Sequence, residues 1–123
     1  MNVQSVERTF IDKIFAICDY RLHDMQVRDS RHIYDIAKLI DCINFDNSFK
    51  NLVLRVRDDR ANLKNNLSAQ PKYDIPDLLQ DIIDTRFFEA DYNRLTSKLL
   101  YEEYSYDKAI TNAISKVIES MAF

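Results

Sequence analysis

The chain has 123 residues, 46% of them hydrophobic and 30% charged, with a formal net charge of −3. That length suits one domain burying about two-thirds of its unfolded surface without staples, and the charge leaves no global positive field to attract nucleic acid, so a basic patch must be local. Glycine is absent, which excludes phosphate loops of the Walker or dinucleotide type within these residues. Only two prolines occur, Pro71 and Pro76, and this scarcity favours helices over a turn-rich β fold. Cys18 and Cys42 are not spaced as a metal motif, and two histidines are too few to complete a zinc site. A buried free thiol in a reducing cytoplasm is the expectation for each. No apolar run approaches 18 residues and no signal peptide is visible, so no membrane span is expected.

The periodicity predicts an all-α protein, one domain over 1–123, built as an irregular bundle of five to six helices. The first runs over 6–22 with Ser5 as N-cap. At about 100° per residue, Phe10, Ile14, Ile17 and Cys18 cluster, and Ile11 and Phe15 widen the arc. Arg8, Asp12 and Asp19 take the opposite side, and Lys13 falls at the boundary beside Ile17. Glu7 falls inside the apolar arc. A carboxylate in a first turn suits the helix dipole; alternatively Glu7 and Lys13 face a polar site or a neighbouring domain. Asn2-Val3-Gln4 reads as the end of a strand at most.

A polar connection, 23–29, leads to the second helix, 31–43, capped by Asp29 or Ser30. Its stripe is Ile33, Ile36, Ala37, Ile40 and Ile43, with His32 at the border, while Arg31, Asp35, Lys38 and Cys42 occupy the other face. Arg31 and Asp35 are spaced i,i+4, as a surface ion pair would be. The third helix, 49–64, turns Phe49, Leu52, Val53, Val56 and Leu63 inward. The mixed-sign run Arg55-Val56-Arg57-Asp58-Asp59-Arg60 reads as a solvated face, although Arg60 lies close enough to the stripe to reach inward to Asp35 or Glu7.

After a loop over 65–74, Asp74 caps a helix over 75–84 with Pro76 in its first turn, where a missing N–H costs nothing. Arg86 opens the next helix, 87–102, with Phe87, Phe88, Tyr92, Leu95 and Leu99 inward. Ser105 caps the last, 106–121, whose stripe is Ile110, Ile114, Val117, Ile118 and Met121. The seven tyrosines read as core-edge aromatics with wet hydroxyls.

Two short segments carry a resemblance. Val6-Glu7-Arg8-Thr9-Phe10-Ile11-Asp12-Lys13, followed by Arg31-His32-Ile33-Tyr34-Asp35-Ile36, resembles the third and fourth motifs of AbiEii/AbiGii-type nucleotidyltransferase toxins, the toxin half of abortive-infection and type IV toxin–antitoxin systems. Phe88-Glu89-Ala90-Asp91-Tyr92-Asn93-Arg94-Leu95 and Tyr106-Asp107-Lys108-Ala109-Ile110 are similar to the C-terminal helices of that family. The resemblance implies Lys13 and Asp35 as the catalytic pair, with Glu7, Arg8, Lys13, Arg31 and His32 at the nucleotide. It implies magnesium and a nucleoside triphosphate as cofactors of a complete family member, a tRNA acceptor, and a cognate antitoxin.

The family's palm precedes these motifs and carries a Gly-Gly-Thr-type loop and paired acidic residues for magnesium. This sequence has no glycine and no Asp-x-Asp on a strand-like run. It therefore looks like the C-terminal helical half of such a protein, begun at Met1, without a metal site and inactive alone. On that reading an exposed apolar or mixed face on the first two helices would receive a palm domain. The alternative is a stand-alone helical module for protein interaction or self-association. A third reading is an independent enzyme using Glu7, His32 and Asp35 as acid–base groups.

Overall fold

The computed structural model describes residues 5–24, 30–63, 66–96, 98 and 102–123. The fold is all-α, and among the described residues there is no strand. Asn2, Val3 and Gln4, and Asp29, lie outside these residues. α1 spans Val6–Leu22 and α2 Arg31–Leu39, continued by a 3-10 turn at Ile40–Cys42. α3 covers Asn47–Ala61, and a second 3-10 turn follows at Leu67–Ala69. α4 is Ile75–Thr85. α5 begins at Glu89–Asp91 and continues as a π turn, Tyr92–Thr96. α6 is assembled from Tyr106–Ile110, a π stretch Thr111–Ser115, and Lys116–Ser120.

α1 is the central element. It contacts α2, α3, α4 and the 67–69 turn. Phe10, Ile11, Ile14, Phe15, Ile17 and Cys18 are all fully buried, so the apolar arc exceeds the narrow stripe of a surface helix. Each large side chain removed from water contributes about 1.5–3 kcal/mol before conformational entropy is charged. A run of edge-on aromatic contacts ties the ends of the chain together. Phe10 meets Phe45 and Phe49 at 6.2 and 6.1 Å, and Phe123 meets Phe49 and Phe15 at 6.0 and 6.1 Å.

The caps are local chemistry. Ser5, Asp74 and Ser105 each accept from the backbone N–H three residues on, at 3.1, 3.2 and 3.1 Å. α3 begins two residues earlier than Phe49, because Asp46 accepts from Phe49 N at 2.9 Å. Without glycine, left-handed positions fall on ordinary residues: Asp24, Arg86 and Met121. Arg86 therefore ends α4 rather than opening the next helix, and its N–H bonds back to Ile82 and Ile83 carbonyls. Met121 ends α6 at φ 56° and is 81% exposed, outside the expected stripe. Leu63 is likewise exposed, beyond the end of α3. A Met in the left-handed region costs about 1–2 kcal/mol in sterics, partly offset on substitution by glycine's larger unfolded-state entropy. Met121→Gly is expected to raise the melting temperature by roughly 2–6 °C, read by circular dichroism; an unchanged or lower midpoint contradicts the strain argument.

Several polar groups depart from the pattern-based expectations. Asp19 is 5% exposed, because α3 and the 67–69 turn cover the side of α1 that periodicity assigns to water. Arg60 does reach inward, but to Asp19 Oδ2 at 3.2 Å and Asp12 Oδ1 at 3.1 Å, not to Asp35 or Glu7. Ser68 completes the network, donating its N–H and hydroxyl to Asp19 Oδ1 at 2.9 and 2.6 Å. Arg57 also leaves the solvated face and donates to the carbonyls of Ala69, Gln70 and Tyr73, satisfying loop acceptors that have no ladder partner. Cys18 is buried, and desolvation pushes its thiol far up, whereas Cys42 is exposed at the end of the 3-10 turn. Tyr92 is buried outright and donates to Tyr104 O at 2.8 Å rather than to water.

Candidate nucleotide site at the α1–α2 seam

Lys13 and Tyr20 are seven positions apart on α1, so they share one face. Arg31, His32 and Asp35 lie in the first turn and a half of α2. Packing of Ile33, Ile36 and Ala37 against the core turns this polar edge of α2 along α1. Lys13 Nζ lies 3.2 Å from Asp35 Oδ2 and 3.4 Å from His32 Nδ1. Arg31 Nε approaches the other oxygen, Asp35 Oδ1, at 3.7 Å. Tyr20 stacks on His32 with ring centroids 6.0 Å apart and planes 7° from parallel. The i,i+4 pairing of Arg31 with Asp35 is present, yet Asp35 is shared with a helix 22 residues away.

The electrostatics follow from donor counts. Lys13 donates to Asp35, and its Nζ lies within hydrogen-bond reach of His32 Nδ1, which accepts from it in the tautomer protonated on Nε2. Lys13, Arg31 and Asp35 together carry one positive charge in excess, in a chain that is negative overall. Side-chain exposure is 21% for Lys13 and 27% for Asp35, so the pair is about three-quarters shielded but still reachable. Asp35 has both oxygens engaged by cations. That arrangement can bind and orient a small anionic group, phosphate above all.

The structure separates the other two candidates from this cluster. Glu7 is six positions from Lys13, about 120° round the helix, and lines a recess of about 270 Å³ with Asn44, Asp46, Ser48 and Arg55. Arg8 pairs with Asp59 at 3.3 Å on the α3 side. Tyr20 belongs to the cluster and pattern reading passed it over, although its heptad spacing from Lys13 was the available signal. Among the described residues no group of three or more His, Cys, Asp or Glu is placed to hold a metal ion. Among the described residues, the exposed large hydrophobics are Leu54, Leu63 and Met121, none of them on α1 or α2, whose surface carries partly buried Val6, Tyr20, Tyr34 and Leu39 among polar side chains.

Fold and site together define an all-helical domain that presents a lysine–aspartate pair where its first two helices meet. The family model for the nucleotidyl transferase AbiEii toxin of type IV toxin–antitoxin systems matches residues 1–113, and the chain belongs to that family. No curated protein and no solved structure matches it.

Proposed function

We propose that this chain forms the helical half of a nucleotidyl-transfer site in which Lys13 and Arg31 bind triphosphate oxygens and Asp35 holds both cations in place. The observation that carries this reading is the excess positive charge built around one carboxylate, with Lys13 and Arg31 on its two oxygens. His32, stacked on Tyr20, fixes the second donor direction of Lys13. Such a site positions phosphate and stabilises charge on it, but these residues include no glycine loop to cradle the phosphates. That loop and the metal-binding carboxylates come from a palm outside these 123 residues, in the same polypeptide or another. Family membership supplies a cognate antitoxin as the partner to seek.

The test is transfer of labelled nucleotide to tRNA or protein acceptors, by the purified chain with and without a glycine-loop palm domain. Label is expected only when the palm is present. Turnover by the chain alone overturns the division of labour, and no turnover by the reconstituted pair with any of the four nucleotides counts against the transfer reading itself.

A further inference from the structure

A buried polar cluster lies behind the first turn of α2. Ser30, Asp91 and Thr96 are 0%, 3% and 4% exposed. Ser30 is the N-cap residue of α2, but its backbone is helical, at φ −57° and ψ −18°, and its side chain makes no capping bond. Its N–H instead donates to Asp91 Oδ2 at 3.4 Å, and its hydroxyl lies 2.7 Å from Thr96 Oγ1. Asp91 Oδ1 finds no hydrogen-bond donor among the described residues and has Arg94 Nη2 at 3.7 Å.

In a capping box, a side chain in the helix's own first turn reaches back to the N-cap N–H. Position N3 of α2 is Ile33, which has no acceptor, and Asp91 fills that role from 61 residues away. The carboxylate also complements the positive end of the α2 dipole. The π turn is what makes the grip two-handed. Residues five apart on an α-helix point about 140° away from each other, but a π turn closes i to i+5, so Asp91 and Thr96 meet the same residue. The residues next to Ser30 are Arg31 and His32, with Asp35 one turn on.

We infer that Asp91, with Thr96, is a positioning residue that clamps the N-terminal turn of α2 and so sets where Arg31, His32 and Asp35 stand relative to Lys13. The clamp stands on the hydrogen bonds above; its consequence for ligand rests on the phosphate-site reading.

The experiment uses the full chain and two readouts, amide hydrogen exchange by NMR and ATP affinity by calorimetry. In Asp91→Ala, the Ser30 and Ile33 amides are expected to exchange at least tenfold faster while the Ile82 amide in the α4 core keeps its rate. ATP affinity is expected to fall threefold to tenfold. Asp91→Asn keeps an acceptor for Ser30 N–H and is expected to restore most of both. Unchanged exchange at Ser30 and Ile33 overturns the clamp, as does an equal rise at Ile82, which would make Asp91 a general core anchor. Selectively faster exchange with wild-type ATP affinity, in a chain where Lys13→Ala loses affinity, overturns the positioning role. If Lys13→Ala binds ATP as the wild type does, or if the wild type does not bind it even with the palm domain added, the phosphate-site reading fails and the exchange rates alone decide the clamp.

Discussion

Arg60→Ala is expected to cost about 3 kcal/mol, because it leaves the buried Asp19 carboxylate without its cation. For a chain of this size that is a fall of roughly 10–15 °C in melting temperature. The side chain of Asp19 is 7% exposed and that of Arg60 18%, so water cannot replace the lost partner as it would at a surface pair. Ser68 still donates to Asp19 Oδ1, which keeps the loss below that of a wholly orphaned charge. Arg60 also lies over the Phe15 ring at 5.6 Å, so truncation removes packing as well as charge. The double variant Asp19→Asn/Arg60→Met is expected to recover at least half of the loss. Its asparagine still accepts from Ser68 and its methionine covers Phe15, with no charge left to desolvate. Urea unfolding of the wild type, Asp19→Asn, Arg60→Met and the double variant gives the coupling, with Arg60→Ala measured beside them. A loss below about 1 kcal/mol in Arg60→Ala would mean that the pair is effectively solvated.

Lys13→Ala is expected to behave in the opposite way, lowering nucleotide transfer by the reconstituted protein about 10²–10³-fold while barely moving stability. The exposures decide this. Asp35 keeps 27% of its side chain in water against 7% for Asp19, and it retains Arg31 when Lys13 is removed, so the loss is about 0–1 kcal/mol and the unfolding midpoint has little to lose. Removing one fixed donor from developing phosphate charge carries a penalty of that kinetic size in comparable sites. Lys13→Arg retains the charge but replaces a point donor with a planar fork, and only partial activity is expected. Steady-state transfer rates and urea midpoints on the same preparations check both halves. Full transfer by Lys13→Ala removes Lys13 from the site, and a cooperative loss of several kcal/mol reassigns it to the scaffold.

The contrast between these two lysine and arginine positions shows what the sequence could and could not convey. Helix identity was legible, because Ser5, Asp74 and Ser105 cap by contacts three residues long and the apolar spacing of α1 and α2 is unambiguous. Lys13 and Asp35 were legible as a pair only through motif resemblance, since nothing in the spacing of α1 fixes its register against α2. Asp19 was not legible. Its partners lie 41 and 49 positions away, and the side of α1 it occupies is polar by every local criterion. The break in α5 was equally hidden, since a π turn has no residue signature of its own, and Arg86 closes α4 in a conformation normally signalled by glycine.

The central placement of α1 has a consequence for how the chain is made. Among the described residues, the elements that cover it follow it in the chain, and the ring of Phe15 is closed over by Phe123, 108 positions later. At about 5–20 residues per second of synthesis, a helix with six fully buried apolar side chains spends several seconds without its last described neighbour. A chaperone that holds amphipathic helices therefore has its natural client site in Phe10–Cys18, and premature termination anywhere before α6 leaves that surface open to aggregation.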